Sequence, residues 1–308
     1  MKYTFGPVPS RRLGMSLGVD IIPFKFCSFD CIYCQLGVTT DKSIERKSYV
    51  PAEEVLSELK DVVSEDAERI DFITFSGSGE PTLNSDIGKM VNSIKVFTDI
   101  PVAVLTNGSL LYREDVRNDL INADLIVPSL DAISQDTLEK VNRSHPELDI
   151  NEITQGLRDF TGFYKGRIWL EIMLVNGVND DFRELENVAM MIKDLNLEKI
   201  HLNTVVRPPA EESAMAIDKQ KMQEIAAIFD DRAEIIVDFD KVIAQKANAD
   251  EIESMISSML KRRPCTIDDI SSSLGIHKNE AIKHVNHLSA KSKIRNVRHQ
   301  DKWYYEVC

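Results

Sequence analysis

Apolar runs alternate with amphipathic stretches along the first 240 residues of this 308-residue chain. The apolar runs predict seven strands, at 16–22, 70–76, 101–106, 124–130, 167–175, 199–204 and 234–239. Apolar residues at helical spacing predict seven helices, at 51–64, 85–97, 112–122, 134–142, 150–163, 181–195 and 218–229. Continuous apolar runs are typical of strands that are buried on both faces. The alternation therefore predicts an α/β fold in which helices cover a parallel sheet.

Polar signatures follow nearly every one of these strands. They are the cysteines after 16–22, SGSGEPTL after 70–76, TNG after 101–106, SLDA at 129–132, NGVND after 167–175 and NTVVRPP after 199–204. Loops at the carboxyl ends of parallel strands converge on one face of the sheet. The number of units fits an open doubly wound sheet or a full or partial barrel, and both architectures place active sites at that face.

The last part of the chain has a different pattern. Residues 241–260 are expected to connect to a second domain and to begin it. We then predict a helix at 267–274, a turn at Gly275, a helix at 277–291 and two short strands near 294–298 and 302–307. This order is typical of a winged helix-turn-helix. The sequence thus predicts two domains, at 1–240 and 241–308.

The charge of the chain is divided at nearly the same place. The net charge is −13, but from Lys261 onward ten Lys or Arg stand against five Asp or Glu. Such an asymmetry indicates two domains with different partners. Basic residues on or after the second helix suit contacts with nucleic-acid phosphates, although a solvated face and a protein-binding surface are alternatives. These candidate phosphate contacts, one of them a histidine, are Lys278, Lys283, His284, Lys291, Lys293, Arg295 and Arg298.

The chain lacks the sequence features of a membrane or secreted protein. No run approaches the ~18 consecutive apolar residues of a membrane span, and the first residues have no apolar secretory core. Five cysteines, three of them clustered, do not resemble a secreted disulfide framework. We therefore expect a cytoplasmic protein with no membrane partner, whose thiols are free to act as ligands.

The clustered cysteines lie in CSFDCIYC, at Cys27, Cys31 and Cys34. Structural zinc requires four ligands, but no other Cys or His occurs before His145, and the remaining cysteines belong to the second domain. A 4Fe–4S cluster held by three thiolates would leave one iron open to a small molecule. An incomplete zinc site and three unrelated buried thiols are the alternatives.

This Cys-x3-Cys-x2-Cys motif, with an aromatic residue before its last cysteine, closely resembles the radical S-adenosylmethionine (SAM) superfamily. The resemblance covers roughly residues 1–240 and is greatest to small iron–sulfur oxidoreductases related to the wyosine-base synthases. It implies a partial (β/α)6 barrel in which the open iron chelates SAM. An electron from a flavodoxin or ferredoxin type donor would cleave the S–C5′ bond, and the resulting 5′-deoxyadenosyl radical would abstract hydrogen from a substrate.

The resemblance also implies roles for individual residues, with Cys27, Cys31 and Cys34 as the catalytic cluster ligands. Ser78, Gly79 and Glu80 resemble the Gly-Gly-Glu motif that receives the methionine ammonium, with Ser78 in place of the first glycine. Without the resemblance, this stretch would be interpreted as a turn. Further implied cofactor contacts are Tyr33 on adenine, Ser129 and Asp131 near ribose or carboxylate, Arg143 on the carboxylate, and Val178 beside adenine. Asn107, in the TNG stretch, is a further candidate cofactor contact.

Several of these assignments have simpler alternatives. Asn107 could only end a strand, Asp131 could cap a helix, and Arg143 could be a solvated charge. Candidate substrate contacts are Asn203 and Arg207 in NTVVRPP, and Arg11 and Arg12 in PSRRLG, which could reach the same face. Arg207, before two prolines, could instead support a rigid loop.

Three functions are consistent with these observations. The first is a radical SAM enzyme whose basic C-terminal domain presents an RNA, such as a tRNA, to the barrel. The second keeps the chemistry but acts on a protein, a peptide or a small metabolite, with the winged helix as a docking module. The third is a DNA-binding iron–sulfur sensor without catalysis, which would not need Gly79 and Glu80.

Overall fold

A computed structural model describes residues 2–10, 12–206, 209–237, 249–274, 278–299 and 302–308. Four sequence predictions lie wholly or partly outside the described residues: the substrate contacts Arg11 and Arg207, the turn at Gly275, and residues 241–248 of the predicted connection between the domains. In the part of the chain that is described, no helix has both the length and the apolar character needed to cross a bilayer.

The central sheet contains eight strands that follow one another in space in chain order. They are β1 (Thr4–Ser10), β2 (Gly14–Val19), β3 (Phe72–Phe75), β4 (Val102–Thr106), β5 (Leu125–Pro128), β6 (Arg167–Leu174), β7 (Lys199–Thr204) and β8 (Ala233–Ile235). β1 pairs antiparallel with β2, and every later neighbour is parallel. This sequential order, without a reversal, is that of a barrel wall and differs from the order of a doubly wound sheet. Among the described strands, β1 and β8 are the two edges, so the sheet is open.

Seven helices connect the strands and cover the sheet. They are α1 (Ala52–Asp66), α2 (Ile87–Phe97), α3 (Glu114–Leu120), α4 (Gln135–Val141), α5 (Ile150–Phe163), α6 (Phe182–Ile192) and α7 (Lys219–Ala226), with 3-10 turns at Ala67–Arg69 and Pro81–Leu83. Aspartates cap several of them: Asp149, Asp181 and Asp218 each accept a hydrogen bond from a backbone N–H in the first turn. The predicted α/β fold with a mostly parallel sheet is confirmed.

Two elements differ from the sequence prediction. The sequence predicts no strand before 16–22, yet β1 forms at Thr4–Ser10. Its segment TFGPVPS contains two prolines, which an edge strand tolerates because one side of its backbone needs no partner. Helix α8 (Ala249–Leu260) lies where a connecting segment was predicted. It buries Ile252, Ile256 and Met259, which share one helical face.

The C-terminal unit consists of α8, α9 (Ile267–Leu274), α10 (Lys278–Ala290), β9 (Ile294–His299) and β10 (Lys302–Val307). The last four elements form where they were predicted, and the two strands pair antiparallel. This unit has an apolar core of its own, against which Val8 of β1 packs. Its assignment as a winged helix stays a prediction.

Candidate cofactor site and substrate cavity

The cysteine loop follows β2, at the carboxyl end of the parallel sheet. All three thiols are partly buried. Burial raises the pKa of Cys27 to about 12. It also raises the pKa of Cys31 well above its usual range, with a further increase from the nearby Cys27 and Cys34. The three sulfurs are thus close enough to interact electrostatically, and a bound cation would favour their thiolate forms.

Each of the three sulfurs lies within hydrogen-bond distance of a different side-chain N–H donor. Lys25 Nζ donates to Cys34 Sγ at 3.2 Å, Asn107 Nδ2 to Cys27 Sγ at 3.5 Å, and Asn142 Nδ2 to Cys31 Sγ at 3.3 Å. Lys25 is only 3% exposed, so its ammonium is held beside the loop. Hydrogen bonds to the sulfurs are among the factors that tune iron–sulfur clusters.

The chemistry of this donor set fits an iron–sulfur cluster, because soft thiolate sulfurs are the ligands that such clusters use. Within the described ranges, no group of three or more His, Cys, Asp or Glu side chains is arranged to hold a single metal ion. The three cysteines would hold the cluster, with Lys25, Asn107 and Asn142 as its hydrogen-bond donors.

The loop after β3 contains the predicted cofactor residues Ser78, Gly79 and Glu80. A Cβ added to Gly79 would lie 1.8 Å from the carbonyl oxygen of Phe26, so only glycine permits this approach of the loop to the cysteine segment. The Glu80 carboxylate accepts hydrogen bonds from Thr82, Thr106 and the Asn107 backbone N–H. Glu80 therefore ties the loop after β3 to the loop after β4.

Ser78 is held by residues that the sequence analysis did not identify. Its backbone N–H and hydroxyl both donate to the Asp20 carboxylate, at 3.1 and 2.6 Å. Arg262, which follows α8, donates to the same carboxylate and to Ser78 Oγ. The C-terminal unit thereby contacts the predicted cofactor loop directly. Asp20 and Arg262 are 242 positions apart, so no local pattern indicates this contact.

A second polar network surrounds the predicted adenine contact Tyr33. Its hydroxyl donates to the Asp131 carboxylate, which also accepts from Asn142 Nδ2 at 2.7 Å and from the Met173 backbone N–H at 2.8 Å. Burial raises the pKa of Asp131 to about 6. Asn142 Oδ1 is buried and has no hydrogen-bond partner among the described residues. This unsatisfied acceptor lies on a side chain that also contacts Cys31.

The remaining predicted cofactor contacts differ in position. Ser129 follows β5 and forms a backbone bridge to Glu171, and Val178 is half-buried in the loop after β6. Arg143 follows α4 with a φ of 46° and pairs with Glu211 at 2.7 Å. Arg143 does not line the cavity described below, and its assignment to a cofactor carboxylate stays a prediction.

A cavity of about 370 Å³ opens beside the cysteine loop, with Tyr33, Cys34 and Gly77 in its wall. This volume is in the range of small-molecule sites. The predicted substrate contacts Arg12 and Asn203 also line it.

Glu171 of β6 lies between these two residues and was not identified from the sequence. It accepts from Arg12 at 2.6 Å and from Asn203 at 2.9 Å. A lone glutamate in the buried run RIWLEIMLV was the available signal, because a charge in such a strand needs a partner.

On the C-terminal unit, several predicted phosphate contacts are already paired within the chain. Lys278 pairs with Asp268 at 2.6 Å, Arg295 pairs with Glu306 at 2.8 Å, and Lys291 lies 3.6 Å from Glu253. His284 is buried. Of the predicted phosphate contacts, Lys283, Lys293 and Arg298 are exposed and have no carboxylate partner among the described residues.

Comparisons with known proteins agree with these observations. A family model described as Radical SAM superfamily matches residues 21–189. The chain is 38% identical over 296 residues to a protein of Brachyspira hyodysenteriae named GTPase Obg, covering 96% of this chain but only 43% of that protein. The chain thus spans less than half the length of this relative. It is 40% identical over 232 residues to a UPF0026 protein of Methanocaldococcus jannaschii, covering 75% of this chain and 72% of that protein.

Similarity extends to more distant proteins. A dual-specificity RNA methyltransferase RlmN of Sorangium cellulosum is 26% identical over 233 residues, which are 70% of this chain and 56% of that protein. Among solved structures, a radical SAM methyltransferase from Sphaerobacter thermophilus aligns with a TM-score of 0.57 at 18% identity, covering 72% of this chain and 66% of that one. This structural similarity supports the fold.

Proposed function

The chain belongs to the radical SAM superfamily, and from this premise we propose that it is an enzyme that cleaves SAM reductively at a 4Fe–4S cluster held by Cys27, Cys31 and Cys34. The observation that carries the proposal is the set of three sulfurs, each beside its own N–H donor, in a loop whose Tyr33 and Cys34 line a cavity. When bound, the cluster and SAM supply one-electron cleavage of the S–C5′ bond, which starts hydrogen abstraction from a substrate.

The residues of this chain have distinct tasks in that proposal. Lys25 and its two companion donors stabilise negative charge on the sulfurs. Glu80 keeps two loops at a constant separation, so the methionine end of SAM meets a preformed site. Asp131 orients the ring of Tyr33 through its hydroxyl. The walls of the cavity, which include part of the C-terminal unit, keep water from the reacting atoms.

An anaerobic assay tests the chemistry. Protein reconstituted with iron and sulfide should show a 4Fe–4S spectrum and should form 5′-deoxyadenosine from SAM and dithionite. Alanine at Cys27, Cys31 or Cys34 should abolish this product, while Cys308→Ala, at an exposed cysteine far along the chain, serves as the matched control. A fully loaded cluster that forms no 5′-deoxyadenosine would favour the DNA-binding sensor.

For the substrate, we propose an RNA, such as a tRNA, presented by a winged helix domain at 241–308. The basic C-terminal unit supports this proposal, as does the name of the RlmN relative, an RNA methyltransferase. Lys283, Lys293 and Arg298 are the exposed cations that phosphates would meet. RNA binding that weakens with salt, and whose salt dependence decreases in Lys283→Gln, would support the proposal. RNA binding that responds neither to salt nor to this substitution would contradict it.

The alternative is the same chemistry on a protein, a peptide or a small metabolite, with the C-terminal unit as a docking module. The small size of the cavity favours this alternative. Turnover of a candidate metabolite, without any response to added tRNA, would support it. A flavodoxin or ferredoxin type electron donor, a cytoplasmic location and a relation to wyosine-base synthases stay predictions.

A further inference from the structure

The C-terminal unit forms part of the cavity wall. Met259 near the end of α8 and the two arginines that follow it, Arg262 and Arg263, line the cavity together with Arg12 of the sheet domain. One side of the proposed substrate site is therefore built from residues beyond the family match at 21–189.

The charges in this wall are unevenly paired. Arg12 pairs with Glu171 at 2.6 Å, and Arg262 pairs with Asp20 while its guanidinium stacks 4.7 Å from the centre of the Phe5 ring. Arg263 is half-buried, and its guanidinium has no hydrogen bond or ion pair within the described residues. Three arginines and one glutamate are the charged side chains that line the cavity, so the wall is positively charged.

An unpaired guanidinium in a partly buried cavity loses hydration without gaining a partner. The planar guanidinium matches the two oxygens of a carboxylate or a phosphate, and such a pair would compensate for the lost hydration. We infer that Arg263 is an anion-binding residue of the substrate site and that the substrate carries a phosphate or a carboxylate that pairs with it. This inference rests on the proposed function for the identity of the cavity as the substrate site.

Phosphate binding tests the inference directly. Full-length protein with its cluster reconstituted and with saturating SAM is titrated with inorganic phosphate at constant ionic strength, and binding is followed by calorimetry. Arg263→Gln should weaken phosphate binding about tenfold or more, since a charged bidentate pair is lost. The phosphate affinity of Arg263→Lys should lie between those of the wild type and Arg263→Gln, because lysine keeps the charge but lacks the planar guanidinium. Arg158→Gln removes an exposed arginine of α5, away from the cavity, and should bind phosphate like the wild type.

The outcomes separate the sources of the anion. A short single-stranded RNA that displaces phosphate from the wild type but not from an Arg263→Gln background would support a nucleic-acid phosphate. Phosphate binding that depends on Arg263 and resists RNA would support a small anionic substrate. Equal phosphate affinities of the wild type and Arg263→Gln, or an equal loss of affinity in Arg158→Gln, would overturn the inference.

The proposed function fails by a different measurement. Absence of 5′-deoxyadenosine from the wild-type protein would refute SAM cleavage, whatever the phosphate titration gives.

Discussion

Replacing Glu80 with Gln tests whether this carboxylate holds two loops together before any cofactor binds. Glu80 is 2% exposed, and its Oε1 accepts from Thr82 N at 3.0 Å and from the hydroxyls of Thr82 and Thr106 at 2.6 Å. Its Oε2 accepts from the Asn107 backbone N–H at 2.7 Å. A Gln amide has one oxygen. If that oxygen replaces Oε1, the amide NH2 faces the Asn107 N–H, donor against donor.

The magnitude follows from this geometry. A hydrogen bond to a charged group contributes about 1.5–3 kcal/mol, and a donor left without an acceptor adds its own cost. Burial raises the pKa of Glu80, which means that the folded protein carries a desolvation cost that Gln does not have. Because Gln avoids this desolvation cost, we expect a loss in the free energy of unfolding near the lower end of the range of about 1.5–3 kcal/mol, at about 2 kcal/mol.

Urea unfolding of the protein without cluster and without SAM measures this loss. Glu186→Gln is the matched control, since Glu186 is exposed on α6 and makes no ion pair among the described residues. A free energy of unfolding of Glu80→Gln within about 0.5 kcal/mol of the wild type would refute the role of Glu80 in holding the two loops together. Glu80 would then have only the cofactor role that the family resemblance implies.

Three further predictions concern other parts of the molecule. Lys25→Met should make the midpoint potential of the reconstituted cluster more negative, because the ammonium beside Cys34 stabilises the added electron; potentiometric EPR measures this. Arg262→Met and Asp20→Asn should show a coupling energy of about 1–3 kcal/mol in a double-mutant cycle of unfolding, because each single substitution leaves the other side chain without its ion-pair partner. Burial lowers the pKa of His201 to about 4, so below pH ~6.5 the unfolded chain binds a proton that the folded chain does not. Stability should therefore fall by about 2 kcal/mol from pH 7 to pH 5 through His201.

Each of these predictions has a control. Lys60→Met alters an exposed lysine of α1 and should leave the midpoint potential unchanged, whereas an unchanged potential in Lys25→Met would contradict the role of its ammonium. Additive losses in the double-mutant cycle would mean that the two residues do not interact in solution. For His201, the pH dependence of unfolding should become shallower in His201→Gln, and identical slopes in both proteins would refute the assignment.

The regular elements could be predicted from the sequence to within a few residues. The observed bounds of α5, Ile150–Phe163, equal the predicted ones, because its apolar stripe is clear and Asp149 caps it. α8 was missed although Ile252, Ile256 and Met259 repeat at helical spacing. β1 has no alternating pattern of apolar and polar residues, and its pairing with β2 is what makes this segment a strand.

The site was only partly predictable, for a different reason. The spacing of the cysteines is a short-range pattern that the sequence displays directly. The contacts of Lys25, Asn107 and Asn142 with the three sulfurs depend on how separate loops meet across the sheet. Arg143 has the expected residue type at the expected place in the chain, yet its left-handed backbone conformation accompanies an ion pair with Glu211. Residue type and order therefore did not determine which side chains reach the cavity.

The contact of β1 with α8 and α9 joins a strand to helices that are synthesised much later. About 240 residues separate the end of β1 from the start of α8. At roughly 5–20 residues per second, a ribosome needs roughly 10–50 s to supply the helices that β1 contacts. During that interval an edge strand is present without them, and such strands can pair with other chains. Chaperone demand during translation should accordingly be greatest for ribosome-bound chains that end before α8.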